Sequence, residues 1–312
     1  MSLTLFWRRT KQKNLRPRKP KYLKNMSIKD VLRSAKQRFE NQGIPTVDAE
    51  LMLAHVLGVP RMQLHAKEFD LLPEQEELFT EMISQRISGT PTQYLTGEAP
   101  FRYLTFAVGP GVLIPRPETE LLVDAALVEI ERIQASPSYR LGTPTSVVDF
   151  GAGSGAIAIS IAHEAAQRKM PVNVVAVEKS APAVEWLKKN ISQHEVDVRV
   201  INSDVATALE GVKCDIVVAN PPYIPNETKL PALVADHEPA EALYGGSGDG
   251  MNVPALFIKA ATRVLKSGGY LVLEHFEEQS AVLERELSPH YSEISHYQDL
   301  NNRPRWISAR RK

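Results

Sequence analysis

The stretch "VVDFGAGSGAIAIS" (147–160) decides the fold of this chain. An apolar run typical of a buried strand passes into three glycines at alternate positions and then into a helix of small apolar residues. Such a junction needs glycine because the backbone must turn tightly and a ligand must approach it closely. Gly151, Gly153 and Gly155 therefore predict an α/β fold with a ligand site at the carboxyl end of its first strand.

Strand and helix patterns alternate after this stretch. Apolar runs predict strands over 146–151, 172–178, 196–202, 214–220 and 269–276. The intervening segments predict helices over 155–168, 181–192 and 251–267. This alternation indicates a parallel sheet, and the last stretch (292–310) suggests two more strands as an antiparallel edge hairpin. The fold class is thus α/β, with a seven-stranded Rossmann-like sheet.

The part before residue 115 has a different pattern. Helical spacing from Ser27 to about Ser88 predicts a small helical domain. Its first helix starts at Ser27 and ends at Gly43, and its second helix starts with Thr46 as its cap and ends at Gly58. "GEAPFRYLTFAVGPG" (97–111) alternates apolar and polar residues between glycines and prolines, which predicts a β-hairpin. The predicted divisions are 1–25, a basic disordered leader; 26–92, the helical domain; 93–114, the hairpin linker; and 115–312, the catalytic domain.

Composition limits the class of protein. Nine Lys/Arg and no Asp/Glu lie in residues 1–25, so the other 287 residues carry 28 basic against 37 acidic side chains, from 37 of each overall. The basic segment fits a transit peptide, an RNA-binding arm or untranslated leader after a wrong start. A single cysteine, Cys214, excludes a disulfide framework and suits a cytoplasmic protein. We expect no bound metal and no membrane span.

Acidic side chains at two further strand ends narrow the choice of cofactor. Glu178 ends the second predicted strand, where a carboxylate can accept hydrogen bonds from both hydroxyls of a ribose. This arrangement fits either a dinucleotide or S-adenosylmethionine, and Asp149 with the glycine spacing favours S-adenosylmethionine, which has no pyrophosphate. Asp204, just after the third strand, suits an adenine amino group; the alternative is that it caps the N-terminus of a helix.

A fourth strand ends in "VVANPPYIP" (217–225). Pro221 and Pro222 cannot donate backbone hydrogen bonds, so the strand must stop after Asn220. A planar nitrogen, in a base amine or a side-chain amide, is a poor nucleophile that needs two acceptors for its two hydrogens. The Asn220 carboxamide oxygen and the Pro221 carbonyl supply them, and Tyr223 offers a flat face for stacking. Otherwise the segment is only a proline-stiffened loop.

The chain resembles the HemK/PrmC family on four motifs: "IPRPETE" (114–120), "FGAGSGAIAIS" (150–160), "ANPPYI" (219–224) and "EPAEALYGGSGDG" (238–250). The resemblance covers about residues 27–312. It implies an S-adenosylmethionine-dependent enzyme that methylates the side-chain amide nitrogen of the glutamine in the Gly-Gly-Gln motif of peptide chain release factors. We expect the helical domain to dock the release factor. Because residues 26–312 are net acidic, we expect no nucleic-acid substrate, and we expect the protein to be a monomer.

The resemblance assigns roles to individual residues. The catalytic residues are Asn220, Pro221 and Tyr223. The cofactor-binding residues are Gly151, Ala152, Gly153, Ser154, Gly155, Glu178, Asp204, Val205 and Asn220. The substrate-binding residues are Asn220, Pro221, Pro222, Tyr223, Phe101, Arg116 and Glu118, with Pro117 beside them; Arg116 and Glu118 otherwise suit an ion pair and a first-turn helix acid. The chain departs from the family pattern at Val205, in "LEHFEEQ" (273–279) and in "NNRPRW" (301–306).

Two other enzyme classes share part of these features. An adenine methyltransferase acting on DNA or RNA uses the same strand-end motif, but usually has a larger basic recognition region. A nicotinamide-dependent oxidoreductase fits the glycines and leaves Asn220–Tyr223 without a role. A non-catalytic interaction module leaves all four strand ends unexplained.

Overall fold

The computed structural model describes residues 27–67 and 69–312, so the predicted leader lies outside the described residues. The chain divides into two compact units, one ending at Phe79 and the other running from Thr80 to Lys312. The predicted boundary after residue 92 therefore falls inside the second unit. Among the described residues, no helix is both long and apolar enough to cross a membrane.

Short helices make up the described part of the first unit. They are α1 (Ile28–Glu40), α2 (Val47–Leu57), α3 (Gln63–Ala66) and the first turns of α4 (Pro73–Ile87). Helix α1 starts directly after Ser27, as predicted, and Ser27 caps it, because its hydroxyl accepts a hydrogen bond from the Asp30 N–H. The predicted Thr46 cap is wrong in its chemistry: Thr46 precedes α2, but its side chain makes no capping hydrogen bond. Gly58 ends α2 in the left-handed conformation.

A hairpin follows in the second unit. The short helix α5 (Thr92–Thr96) leads into β1 (Glu98–Phe101) and β2 (Leu104–Ala107), which pair antiparallel. The predicted hairpin is confirmed. Its inner face is apolar, because Phe101 and Phe106 are almost completely buried.

Seven strands form the main sheet, in the order β5-β4-β3-β6-β7-β9-β8. Their bounds are β3 (Thr145–Phe150), β4 (Val172–Glu178), β5 (Val198–Asn202), β6 (Cys214–Ala219), β7 (Leu265–Glu274), β8 (Tyr291–Gln298) and β9 (Pro304–Arg311). The first five run parallel, whereas β9 pairs antiparallel with both β7 and β8. The predicted parallel sheet with an antiparallel edge hairpin is confirmed.

Helices cover both faces of the sheet. The helices after the hairpin are α6 (Glu120–Gln134), α7 (Ala156–Gln167), α8 (Ala181–His194), α9 (Ala232–Ala235), α10 (Asn252–Val264) and α11 (Ser280–Leu287), and the four-residue α9 buries none of its residues. Side chains of α6, α7 and α8 pack on one face, and those of α10 and α11 pack on the other. The crossovers change face where the chain passes to β6 beside β3. That change of direction leaves a crevice at the carboxyl ends of the strands.

A buried histidine lies at the end of β7, within the segment "LEHFEEQ" that departs from the family pattern. The His275 side chain is completely buried, its Nδ1 lies 2.7 Å from the Phe276 carbonyl oxygen, and its Nε2 has no hydrogen-bond partner among the described residues. Burial, with smaller effects from His296 and Arg305, lowers the pKa of His275 to about 4. Folding therefore keeps this ring neutral in mildly acidic solution.

We predict that His275 makes the fold sensitive to acid. Below its ordinary pKa the unfolded chain binds a proton that the folded chain excludes, so stability falls as the pH drops from about 6.5 towards 4. His275→Ile should remove about 2 kcal/mol of the loss between pH 7 and pH 5, measured by urea unfolding. His290→Gln, at an exposed site, is the control, and an unchanged acid loss in His275→Ile would contradict this prediction.

Candidate active site

A crevice opens at the carboxyl ends of the central strands and encloses about 1110 Å³ of empty space, some of it continuous with solvent. Open α/β sheets usually bind their ligands at the carboxyl ends of parallel strands, where this crevice lies. The predicted site residues among its lining are Phe101, Arg116, Gly151, Ala152, Gly153, Ser154, Glu178, Asp204, Val205, Asn220 and Pro222. Those outside its lining are Pro117, Glu118, Gly155, Pro221 and Tyr223.

Side-chain hydrogen bonds from β4 and α8 fix the backbone of the glycine loop after β3. The Glu178 carboxylate accepts hydrogen bonds from the N–H groups of Gly153 and Ser180, both at 2.8 Å. On α8, the buried Asn190 side chain donates to the Ser154 carbonyl at 2.9 Å. Gly155 has a packing reason to be glycine, since a Cβ there would lie 2.5 Å from Leu187 Cδ1. The loop thus reaches the crevice through Gly151–Ser154.

Asp204 and Val205 lie on a turn after β5. The Asp204 carboxylate accepts a hydrogen bond from the Ala206 N–H at 2.8 Å, which closes a local turn, and Asp204 also lines the crevice. No helix starts in residues 205–213, so Asp204 is not a helix cap. Arg263, on α10, donates to the carbonyls of Val205 at 2.9 Å and Ala208 at 2.7 Å. This guanidinium ties the turn to a helix whose other end also lines the crevice.

Asp149 lies beneath the site. It is completely buried in β3, and its Oδ2 accepts a hydrogen bond from the Ala158 N–H at 3.1 Å. Burial raises the pKa of Asp149 to about 7, and the neighbouring Glu178 raises it slightly further. The Asp149 side chain thus binds the first turn of α7 and does not line the crevice.

Backbone contacts hold the loop after β6 in place. The N–H of Ile224 donates to the Leu243 carbonyl, and the N–H of Gly245 donates to the Ile224 carbonyl, each at 2.9 Å. The Gln279 side chain donates to the Tyr223 carbonyl, also at 2.9 Å. A Cβ on Gly250 would lie 2.2 Å from that same carbonyl, so the glycine is required. The motif 238–250 therefore supports the Asn-Pro-Pro-Tyr loop.

The Asn220 side chain belongs to a partly buried hydrogen-bond relay, which we define as Asn220, Thr119, Glu274 and Tyr223. Asn220 Nδ2 donates to Thr119 Oγ1 at 3.0 Å, and Thr119 Oγ1 donates to Glu274 Oε2 at 2.7 Å. The Tyr223 hydroxyl donates to Glu274 Oε1 at 3.0 Å. Tyr223 is thus bound by its hydroxyl at the back of the site, and its predicted stacking role stays a prediction.

A second acid joins two segments at the mouth of the crevice. Glu238 accepts hydrogen bonds from the Ile114 N–H at 3.0 Å and from Arg116 Nη2 at 2.6 Å. Glu238 is buried, whereas Arg116 is partly exposed and lines the crevice. The ion pair expected for Arg116 is therefore present alongside its place in the crevice wall.

Sequence reasoning did not identify the supporting residues Thr119, Glu238, Arg263, Glu274 and Gln279. Thr119 and Glu238 lie inside the motifs 114–120 and 238–250, but the motifs alone did not indicate what these two side chains bind. Glu274 carries a clearer signal: it is an acid at the end of an apolar strand, like Glu178. Arg263 resembles any basic residue in the last turn of a helix.

Comparison with known proteins decides the family. The family model described as the PrmC N-terminal domain matches residues 30–97, and the methyltransferase small domain matches residues 132–236. A release factor glutamine methyltransferase of Mycolicibacterium smegmatis is 38% identical over 272 residues, which cover 86% of this chain and 91% of that protein. One from Streptomyces coelicolor is 36% identical over 299 residues, covering 92% and 99%. The chain belongs to the release factor glutamine methyltransferase family.

The crevice of this family member suits the cofactor that the resemblance implies. A Cβ on Gly153 would meet no atom within 4 Å, so the loop leaves open space above its backbone. Glu178 and Asp204 supply carboxylate acceptors, and Val205, Phe257 and Leu256 supply apolar walls. Hydroxyls, an amino group and a planar base would find partners there. Among residues 27–67 and 69–312, no cluster of His, Cys, Asp or Glu is arranged to hold a metal ion.

We predict that Glu178 contributes to S-adenosylmethionine binding. Glu178→Ala should weaken the affinity by about 1–3 kcal/mol, the scale of hydrogen bonds to a charged group. Isothermal titration calorimetry measures this directly, and Glu185→Ala, at an exposed position on α8, is the matched control. Equal affinities for the two variants would remove Glu178 from the cofactor site.

Proposed function

We propose that this protein methylates the side-chain amide nitrogen of the glutamine in the Gly-Gly-Gln motif of peptide chain release factors, with S-adenosylmethionine as methyl donor. The relatives that cover most of the chain are named for release factor glutamine methylation. The observation that carries the proposal is the corner after β6. There the Asn220 carboxamide lines the crevice while its Nδ2 is held by Thr119.

The chemistry requires the amide nitrogen to be oriented. Its lone pair is delocalised into the carbonyl group, so it attacks only when its two N–H bonds and its lone pair are correctly placed. When bound, S-adenosylmethionine supplies a methyl group on a cationic sulfur. Asn220 Oδ1 and the Pro221 carbonyl oxygen make no hydrogen bond with the described residues, which leaves both as acceptors for the substrate N–H groups. Catalysis then rests on orientation and electrostatics.

Recognition of an intact release factor involves more than the glutamine. We expect the helical residues 26–92 to contribute to docking, so that a free Gly-Gly-Gln peptide is a much poorer substrate than the whole factor. Residues 26–312 carry 28 basic and 37 acidic side chains, which disfavours binding to a phosphate backbone. We expect the protein to act as a monomer without a nucleic-acid substrate.

Asn220→Ala tests the proposed function. It should lower turnover on an intact release factor by about two orders of magnitude, because a preorganised hydrogen-bonding group is lost. Its affinity for S-adenosylmethionine should stay close to that of the wild type, as measured by calorimetry. Asn301→Ala, at an exposed position between β8 and β9, is the matched control.

The assay must also distinguish substrates. Labelled S-adenosylmethionine is incubated with the protein, a release factor and DNA, and the labelled product is located by mass spectrometry. Label on the glutamine supports the proposal. Label on adenine would refute it, whereas full activity of Asn220→Ala on the release factor would refute the role of Asn220.

A further inference from the structure

The relay Asn220–Thr119–Glu274–Tyr223 joins parts of the chain that are distant in sequence. Thr119 and Glu274 are separated by 155 positions, and Asn220 and Thr119 by 101. Glu274 is 1% exposed, and Thr119 is also buried. A buried carboxylate needs hydrogen-bond donors, and Glu274 has one for each oxygen, from Thr119 and Tyr223.

The number of hydrogens that each group in the relay can donate determines which group donates to which. An ionised carboxylate only accepts hydrogen bonds, and a threonine hydroxyl has a single hydrogen to donate. Thr119 gives that hydrogen to Glu274, so it presents only lone pairs to its other neighbour. Asn220 must therefore turn its donor, Nδ2, towards Thr119. The acceptor, Oδ1, is then left for a group bound in the crevice.

We propose, building on the function proposed above, that Glu274 is a positioning residue. Through the Thr119 hydroxyl it turns the Asn220 carboxamide so that Oδ1, and not the NH₂ group, faces the substrate amide. The alternative rotamer would set NH₂ against the N–H donors of the glutamine. Glu274 thus determines whether Asn220 presents its acceptor or its donor to the substrate, without touching the substrate itself.

The surroundings of Glu274 show what holds its charge. The facing groups are the Tyr223 hydroxyl and Arg305, which favour the ionised form, and Glu118, which opposes it. Burial is the largest influence and raises the pKa of Glu274 to about 7. A protonated Glu274 would donate a hydrogen bond itself, so Thr119 would be free to donate to Asn220 Oδ1. At low pH, therefore, the relay no longer favours the Asn220 rotamer in which Nδ2 faces Thr119.

Glu274→Gln tests the proposal, because glutamine keeps the size of the side chain but has only one acceptor oxygen, whereas Thr119 and Tyr223 both donate to Glu274. It should lower kcat on the release factor by about 10- to 100-fold, the cost of opposing two donors. The KM for the release factor and the affinity for S-adenosylmethionine should change by no more than about twofold. Glu129→Gln, which neutralises another buried carboxylate outside the crevice, is the matched control and should keep the wild-type kcat.

Two variants of Thr119 separate positioning from general support of the fold. Thr119→Ser keeps the hydroxyl and should retain most of the activity. Thr119→Val keeps the shape but loses the hydroxyl, and should lose kcat as Glu274→Gln does. Equal activity of the serine and valine variants would overturn the proposal, as would a wild-type kcat in Glu274→Gln.

A readout independent of catalysis completes the test. In protein with ¹⁵N-labelled asparagine, the side-chain NH₂ signals of Asn220, identified by their loss in Asn220→Asp, report the bond to Thr119. We expect one protected hydrogen in the wild type and none in Thr119→Val, and unchanged signals in Thr119→Val would refute the relay. In the wild type kcat should rise with pH through about 7, and Glu274→Gln should flatten that rise.

The two proposals fail differently. If wild-type protein leaves the release factor unlabelled, the proposed function is wrong, whereas the NMR signals still test the relay. If the wild type labels the glutamine and Glu274→Gln does so equally well, only the positioning role is wrong.

Discussion

Pro221 and Pro222 have no backbone N–H, so the sheet cannot hold the chain beyond Ala219. The rest of the site is arranged around this constraint. The next residues are held by Leu243 and Gly245 from one side, and by Gln279 from the other. A polar loop at the end of a buried strand is stable only when its groups find such partners. The same contacts leave the Pro221 carbonyl without a hydrogen bond from the described residues.

Buried acids connect segments of the second unit that the sheet does not connect. Glu164, on α7, accepts a hydrogen bond at 2.8 Å from Arg102 in the turn of the β1–β2 hairpin. Glu238 joins the mouth of the crevice to the 238–250 motif, and Glu274 joins Thr119 to Tyr223. Breaking such a pair on one side leaves a charge buried without a partner, which is costly. These acids therefore define where the walls of the crevice lie.

Sequence patterns were most accurate where structure is local. The predicted strand over 172–178 has the bounds of β4, and the glycine loop and the hairpin formed where they were expected. Helix α11 was not predicted; it has only eight residues and follows a polar turn. The capping hydrogen bond of Thr46 was predicted and is absent, because residue type alone does not fix a side-chain rotamer.

The sequence by itself determined the alternation of strands and helices, the turn that only glycines allow, and the end of β6 at two prolines. Each of these follows from backbone sterics or from hydrophobic periodicity within a few residues. Only the tertiary structure decided which polar groups would meet. Thr119 reaches Glu274 across 155 positions and Arg116 reaches Glu238 across 122. No local pattern encodes such pairs, because they depend on how the helices and strands pack, and that packing determines which way Asn220 faces.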